Sequence, residues 1–297
     1  MSDLVVEKKE AGIRLRKSVW LPNVITFVLL AAFLLFFYGV DSIFKPQFSP
    51  GILLAIGTIM AVVPAVLWIA FFYRQDHLEP EPKHMVFSVF LLGGLLAAAV
   101  GIPLLQNIYD INAWLYKNLL VDFLGSVLVI GFSQEFLKYA AVRFSVFNSD
   151  EFDERTDGII YSTAAGLGFA TVLNIHFIVE SGGVFLGNAA MRIVVVALAQ
   201  ASFSGITGYF LGREKLEKRP FWWTPLGVSI AAVLDGLFYF LWGNLTAPTL
   251  STTGAFGNQW IGIFLAILLA AGVAALLSWL IARDIKQSQA VSAVSKA

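Results

Sequence analysis

The stretch that decides the fold is residues 51–73, GILLAIGTIMAVVPAVLWIAFFY, in which no side chain is charged. An α-helix needs about 20 consecutive apolar residues to cross the ~30 Å hydrocarbon core of a bilayer, and this stretch is long enough. Over the whole chain of 297 residues, 58% are apolar and only 13% are charged. Because soluble domains carry roughly a quarter charged residues, this composition fits a bilayer rather than water.

Further apolar runs of similar length lie on both sides of this stretch. Together they predict an all-α, polytopic transmembrane bundle of about eight spans, near residues 23–40, 51–73, 85–106, 119–141, 158–179, 189–212, 223–242 and 260–282. The fourth span is ambiguous because its second half carries Gln134, Glu135 and Lys138. The membrane is therefore the first predicted partner of this chain.

The distribution of Lys and Arg predicts the orientation of the bundle. Cytoplasmic connections between spans carry an excess of these residues. Here they concentrate before span one, between spans two and three, four and five, and six and seven, and after span eight; the other side has only Lys45, Lys117 and Arg192. This alternation fits an even number of spans with both termini cytoplasmic. We therefore expect a cytoplasmic segment over 1–18, the bundle over 19–283 and a cytoplasmic tail over 284–297.

Several classes of function lose support from composition and motifs. The formal net charge is zero, so the total charge gives no indication of a nucleic-acid partner. The absence of cysteine excludes disulfides, thiolate metal sites and a cysteine nucleophile. The chain has no glycine-rich phosphate loop, no GxSxG and no HExxH, so zincin and serine-hydrolase functions have no motif behind them.

Ionisable residues inside the predicted spans are the candidates for a functional site, because such groups are costly in lipid. Glu135 and Lys138 are three residues apart and so share a helical face. They form either a structural ion pair, or a site in which Glu135 is a metal ligand or general base oriented by Lys138. Asp235 lies in the middle of span seven with no neighbour in sequence to pair with, so it needs a partner from another helix or an ion.

Polar residues in spans five and six offer further candidates. His176 and Glu180 are four residues apart, a spacing that suits two ligands of a divalent metal. Both also lie near the predicted outer end of span five, where they could simply reach water. Gln200 is neutral and could join helices by hydrogen bonds.

Four fragments together resemble the PrsW family of intramembrane metalloproteases. They are YRQDHLEPEP (73–82), QEFLK (134–138), EFDERTDGIIY (151–161) and GLGFATVLN (166–174). The second is similar to that family's EExxK and the fourth to its GFAxxEN, and the resemblance covers roughly residues 71–242. It implies a bundle in which carboxylates and imidazoles hold a divalent metal such as Zn²⁺, which activates a water.

The departures from this family pattern concern the expected metal ligands. Glu135, Lys138 and Asn174 match their motifs, whereas Gln134 and Leu173 stand where the motifs have glutamate. The histidine positions of spans six and seven hold Gln200 and Asp235. By this resemblance the candidate catalytic residues are Glu135, Lys138 and Asp235, and the remaining family-motif positions are Gln134, Asn174 and Gln200.

A shifted metal site would consist of Glu135, Asp235 and His176. The depth of the side chains argues against it, because Glu135 lies toward the cytoplasmic end of its span and His176 toward the outer end of the next. The separation of the Glu135 and Asp235 carboxylates decides the question. Oxygens within ~4–5 Å of each other keep a shared metal possible, whereas a Lys138 ammonium between them indicates an ion-pair network.

Three hypotheses for the function remain. The first is a homologue with impaired or lost peptidase activity that binds or regulates membrane-anchored proteins, such as single-span proteins. The second is an active metalloprotease with a rearranged site that cleaves near the membrane surface. The third is a transporter-like protein that uses Asp235 and Glu135. In each case we expect an integral protein of the bacterial cytoplasmic membrane.

Overall fold

The computed structural model describes residues 24–44, 47–75, 80–182, 186–246 and 259–295. Within these ranges the chain forms helices and no strand. Eight of the helices are long and apolar enough to cross a membrane. The predicted all-α bundle of eight spans is therefore confirmed, whereas its orientation stays a prediction and the segment 1–18 lies outside the described residues.

The spans are numbered here in chain order. They are α1 (Val24–Phe44), α2 (Pro50–Tyr73), α3 (Lys83–Lys117), α4 (Leu119–Arg143), α5 (Arg155–Glu180), α6 (Leu186–Glu217), α7 (Trp223–Thr246) and α8 (Gln259–Ser295). Most ends lie within a few residues of the prediction. The ambiguous fourth span is helical through all of its charged residues, and α8 continues well beyond residue 282.

Spans α3 and α4 are less regular than the others. Both contain π-helical turns, over Ala97–Gly101 and Leu104–Ile108 in α3 and over Ser126–Gly131 in α4. The last of these ends directly before the α-helical segment Phe132–Arg143, which carries the charged residues of the span. A π-turn inserts an extra residue into the helical repeat, so it sets the direction in which the following side chains point.

The centre of the bundle is formed by α5 and α6, which are the most buried spans. Two glycines allow the backbones around them to approach closely. A Cβ on Gly166 of α5 would lie 2.5 Å from the carbonyl oxygen of Gln200 on α6. A Cβ on Gly131 of α4 would lie 2.1 Å from the carbonyl oxygen of Ala232 on α7. Small residues permit such contacts in lipid, and here they bring α4, α5, α6 and α7 around one point.

A set of ion pairs joins the ends of four spans. Arg213 of α6 contacts Asp284 of α8 at 2.9 Å and Glu217 at 2.7 Å. Arg155 of α5 contacts the same Glu217 at 3.0 Å. We call these residues, with the pair Arg143–Glu214 and the neighbouring Arg219, the Arg213 network.

Candidate functional site

The charged segment of α4 points its side chains into the bundle rather than toward lipid. Glu135 is 0% exposed and Lys138 is 1% exposed. As their spacing predicts, the Lys138 ammonium donates a hydrogen bond to Oε1 of Glu135. A pair within one helix offsets part of the cost of burying both charges, and this helps to explain why α4 stays helical where its sequence becomes polar.

Spans α6 and α7 bring two further side chains to the same ammonium. Lys138 Nζ donates to Oε1 of Gln200 and lies 3.5 Å from Oδ2 of Asp235. Gln200 Nε2 donates to Asp235 Oδ1 at 2.9 Å and to Gln134 Oε1 at 3.1 Å. The missing partner of Asp235 is thus found on two other helices. We call the group formed by Gln134, Glu135, Lys138, Gln200 and Asp235 the polar centre.

The hydrogen-bonding capacity of the polar centre is nearly filled. An ammonium has three N–H donors, and each of them has an oxygen from a different helix within reach. Both oxygens of Asp235 accept hydrogen bonds. The exception is Oε2 of Glu135, which is buried and makes no hydrogen bond of regular geometry among the described residues, although the Thr207 hydroxyl lies near enough to interact with this carboxylate. The arrangement is therefore built around a cation, with one carboxylate oxygen left over.

That arrangement does not fit the divalent metal that the family resemblance implies. The three oxygens best placed to bind an ion already surround an ammonium. Two unit charges 4 Å apart repel by about 4 kcal/mol at an effective dielectric constant of ~20, and a divalent ion doubles this to about 8 kcal/mol. Within the described part of the chain, no group of three His, Asp or Glu side chains is placed to hold a metal.

The other predicted site residues lie in two separate groups. Asn174 is buried, accepts a hydrogen bond from Arg192 Nη1 at 3.1 Å and donates to the carbonyl oxygen of Ile193 at 3.4 Å. His176 Nε2 lies 2.8 Å from the side-chain nitrogen of Gln106 on α3. Neither group shares a described hydrogen bond with the polar centre. The structure therefore brings Gln134, Glu135, Lys138, Gln200 and Asp235 together and gives His176 a different neighbour.

Sequence reasoning missed the role of Glu81, which it treated as part of a charged turn. Glu81 is only 5% exposed. The hydroxyl of Tyr161 donates to its Oε2, and the hydroxyl of Tyr73 donates to its carbonyl oxygen at 2.7 Å. Burial raises the pKa of Glu81 above its ordinary value, and Asp157 and Tyr161 partly oppose that effect. The sequence did contain a signal for this contact, because Glu81 and Tyr161 belong to two of the fragments that resemble the PrsW family.

A further residue given no site role by sequence reasoning is Arg192. The distribution of Lys and Arg in the sequence predicts only that it lies on the outer side. It lies within α6, where its guanidinium packs 3.7 Å from the ring centroid of Phe177 and bonds to Asn174. An arginine at this position is stabilised by stacking and a neutral amide rather than by a carboxylate.

Comparison with known proteins gives consistent relatives. The model of the PrsW family intramembrane metalloproteases matches residues 81–273. Protease PrsW of Geobacillus kaustophilus is 34% identical over 154 residues, which cover 52% of this chain and 64% of that protein. Protease PrsW of Bacillus subtilis is 29% identical over 182 residues, covering 61% and 79% respectively. That of Oceanobacillus iheyensis is 27% identical over 205 residues, covering 67% and 89%.

The extent of these alignments differs between relatives. The first alignment spans slightly less than two thirds of the length of the Geobacillus protein. This alignment alone therefore does not assign the activity of that protein to this chain. No solved structure matches this chain. The relationship therefore rests on the family model and the curated sequences, and the range that the family model matches includes the segments that form the polar centre.

Proposed function

This chain belongs to the PrsW family of intramembrane metalloproteases, and from that premise we propose that it has lost the peptidase activity of the family and binds or regulates membrane-anchored proteins. The observation that carries this proposal is the position of Lys138. Its ammonium is bound by Glu135, Gln200 and Asp235, three of the positions at which a metal ligand would be expected from the family resemblance. Lys138 itself matches the family's EExxK, so the departures are the oxygens of Gln200 and Asp235 that bind it.

Metal-dependent hydrolysis needs a metal with protein ligands on some sides and an open position for water. In this chain the histidine positions hold an amide and a carboxylate, and the first motif glutamate is Gln134. The five side chains of the polar centre are at most 2% exposed. Both the ligand types and the burial support a structural role for the centre: it holds α4, α6 and α7 together.

The proposed partner is a single-span membrane protein. The family is one of intramembrane proteases, so its scaffold is one that accepts protein segments inside the bilayer. A scaffold of this kind can keep its affinity for such segments when the chemistry is lost, because binding and bond cleavage depend on different side chains. The eight membrane-spanning helices and the bacterial relatives support a location in the bacterial cytoplasmic membrane.

The test compares this protein with the Bacillus subtilis relative in liposomes of the same composition. Each is mixed with a single-span membrane protein that the relative cleaves, and cleavage and crosslinking are measured together. We expect crosslinking without cleavage for this protein, equally in the wild type and in Glu135→Gln. Cleavage by the wild type that is lost in Glu135→Gln would overturn the proposal. Absence of crosslinking in both would also contradict it.

A second candidate is the active protease with a rearranged site, and one observation favours it. Oε2 of Glu135, the oxygen without a regular hydrogen bond among the described residues, belongs to the one glutamate of the EExxK and GFAxxEN motifs that this chain keeps. A water held by this oxygen would be placed for general-base chemistry. The same liposome assay separates the two candidates, because only this one predicts cleavage that depends on Glu135.

A further inference from the structure

We infer that the ammonium of Lys138 is the resident cation of the polar centre and that its presence keeps divalent metal ions out. This inference concerns the site on which the proposed function rests, but it makes a separate claim about ion binding. It predicts that the oxygens of the polar centre would bind a divalent ion if the Lys138 side chain did not occupy their centre. The claim follows from the geometry of the cluster and from the types of atom that surround Lys138.

The Lys138 side chain is held firmly at the centre of the cluster. Its ammonium is bound by oxygens from α4, α6 and α7. The nitrogen also lies 5.4 Å from the ring centroid of Phe169 on α5, so a fourth helix contributes a cation–π contact. A lysine near the end of a span can extend toward the headgroups, but this one is 1% exposed and points inward.

The atoms that bind the Lys138 ammonium are all oxygens. Where the family pattern has imidazole nitrogens, Gln200 and Asp235 supply oxygens. A set made only of oxygens suits an ammonium, which needs hydrogen-bond acceptors. The same set suits hard cations such as Mg²⁺ and Mn²⁺ better than Zn²⁺. If the ammonium were absent, the cluster would thus offer two carboxylates and one amide oxygen to a hard divalent ion.

A suitable test variant removes the Lys138 ammonium and leaves the surrounding oxygens in place. Lys138→Met keeps an unbranched side chain of similar length and removes the ammonium, so the oxygens remain and the competing cation is lost. Glu135→Gln/Lys138→Met removes one carboxylate as well and serves as the matched control. Lys83→Met, at the start of α3 and exposed, controls for the loss of a lysine elsewhere.

The experiment measures Mn²⁺ binding to the purified full-length proteins in detergent by electron paramagnetic resonance, with Zn²⁺ as a competitor. In Lys138→Met we expect about one tightly bound Mn²⁺ per chain, with an affinity at least about 100-fold above that of the wild type, because the repulsion by the ammonium is gone. We expect no such gain in Lys83→Met or in Glu135→Gln/Lys138→Met, and Zn²⁺ should compete poorly.

Two results would overturn the inference. One is stoichiometric Mn²⁺ or Zn²⁺ in the wild type, and the other is equal affinity in Lys138→Met and its matched control. If Lys138→Met does not fold, Gln200→His decides instead. It adds an imidazole while Lys138 stays, and the inference predicts that it binds no metal. Cleavage of a membrane protein by metal-free wild type would contradict the proposed function and leave this inference intact.

Discussion

The polar centre and the Arg213 network both pair charged side chains from different spans, but they differ in how far these side chains are exposed to solvent. The side chains of the centre are at most 2% exposed, whereas those of the network range from 1% for Asp284 to 41% for Arg219. The centre has one ammonium for two carboxyl groups. The network has several guanidinium groups around three carboxylates. The exposed pairs of the network can exchange partners or bind water, and the pairs of the centre cannot.

This difference shows how burial changes the meaning of an ion pair. An exposed pair contributes about 0–1 kcal/mol, because water solvates each ion nearly as well. Breaking a buried pair costs about 3–5 kcal/mol, because the remaining charge has no substitute partner. Removing one partner of an ion pair should therefore have very different effects in the two regions.

The largest effect is expected for Lys138→Ala. It leaves the carboxyl groups of Glu135 and Asp235 buried without their cation, and we expect the free energy of unfolding to fall by about 3–5 kcal/mol. The measurement is denaturation in mixed detergent micelles. Glu135→Gln/Lys138→Ala should recover part of the loss by removing one of the two charges. A double variant that is less stable than Lys138→Ala would show that the charges are not the cause.

An intermediate effect is expected for Asp284→Asn in the Arg213 network. Asp284 is 1% exposed and contacts Arg213 at 2.9 Å, but Arg213 keeps Glu217 as a second partner. We expect a loss of about 1–3 kcal/mol, the range for a hydrogen bond between charged groups. The same denaturation assay applies. A loss as large as that of Lys138→Ala would remove the distinction between the two regions.

A smaller effect is expected for Arg143→Gln. Its pair with Glu214 at 3.2 Å is between side chains that are 30% and 22% exposed. We expect a change of about 0–1 kcal/mol, and high salt should reduce even this. Denaturation at low and high ionic strength measures both quantities. A change that salt does not affect would point to the packing of Arg143 on the ring of Phe147 instead.

The smallest effect is a pH dependence, and it concerns the buried carboxyl group of Glu81. This group hydrogen-bonds with the Tyr161 hydroxyl and with Asp157, and it makes no ion pair among the described residues. Burial raises its pKa above the ordinary 4.5, so the folded protein binds this proton more tightly than the unfolded chain. The contribution is therefore favourable at low pH and is lost as the pH rises above 4.5 toward the raised value.

The measurement for Glu81 compares the unfolding of the wild type and Glu81→Gln across this pH range. The amide still accepts the hydrogen bond from Tyr161, so we expect the variant to gain stability relative to the wild type as the pH rises. Glu180→Gln, an exposed position at the last residue of α5, is the control and should show no such trend. A difference that stays constant with pH would contradict the raised pKa.

The fold was predictable because its main signals are local. An apolar run of sufficient length specifies a span, and the i, i+3 spacing of Glu135 and Lys138 specifies their pairing. The prediction was less accurate for α3, which continues through the short helical segments Ile111–Trp114 and Leu115–Lys117. These segments follow a left-handed Asp110, with φ of 45°, which composition does not reveal.

The site was predictable only in part, because it depends on the depth and rotation of helices from distant parts of the chain. Sequence reasoning expected Asp235 to find a partner on another helix but could not say which one. It also placed Glu135 near one end of its span. The meeting of Lys138 with Gln200 and Asp235 depends on the π-turn Ser126–Gly131 and on the close glycine contacts, and these appear only in the folded bundle.

The pairing of Glu135 with Lys138 inside one helix also has a consequence for biogenesis. The ribosome produces α4 before α6 and α7, and 97 residues separate Lys138 from Asp235. At about 5–20 residues per second, α4 waits roughly 5–20 s for its last partner. During that time its carboxylate and ammonium can neutralise each other within the helix, so the translocon receives a nearly neutral segment. Asp235 arrives last, into a membrane that already holds its cation.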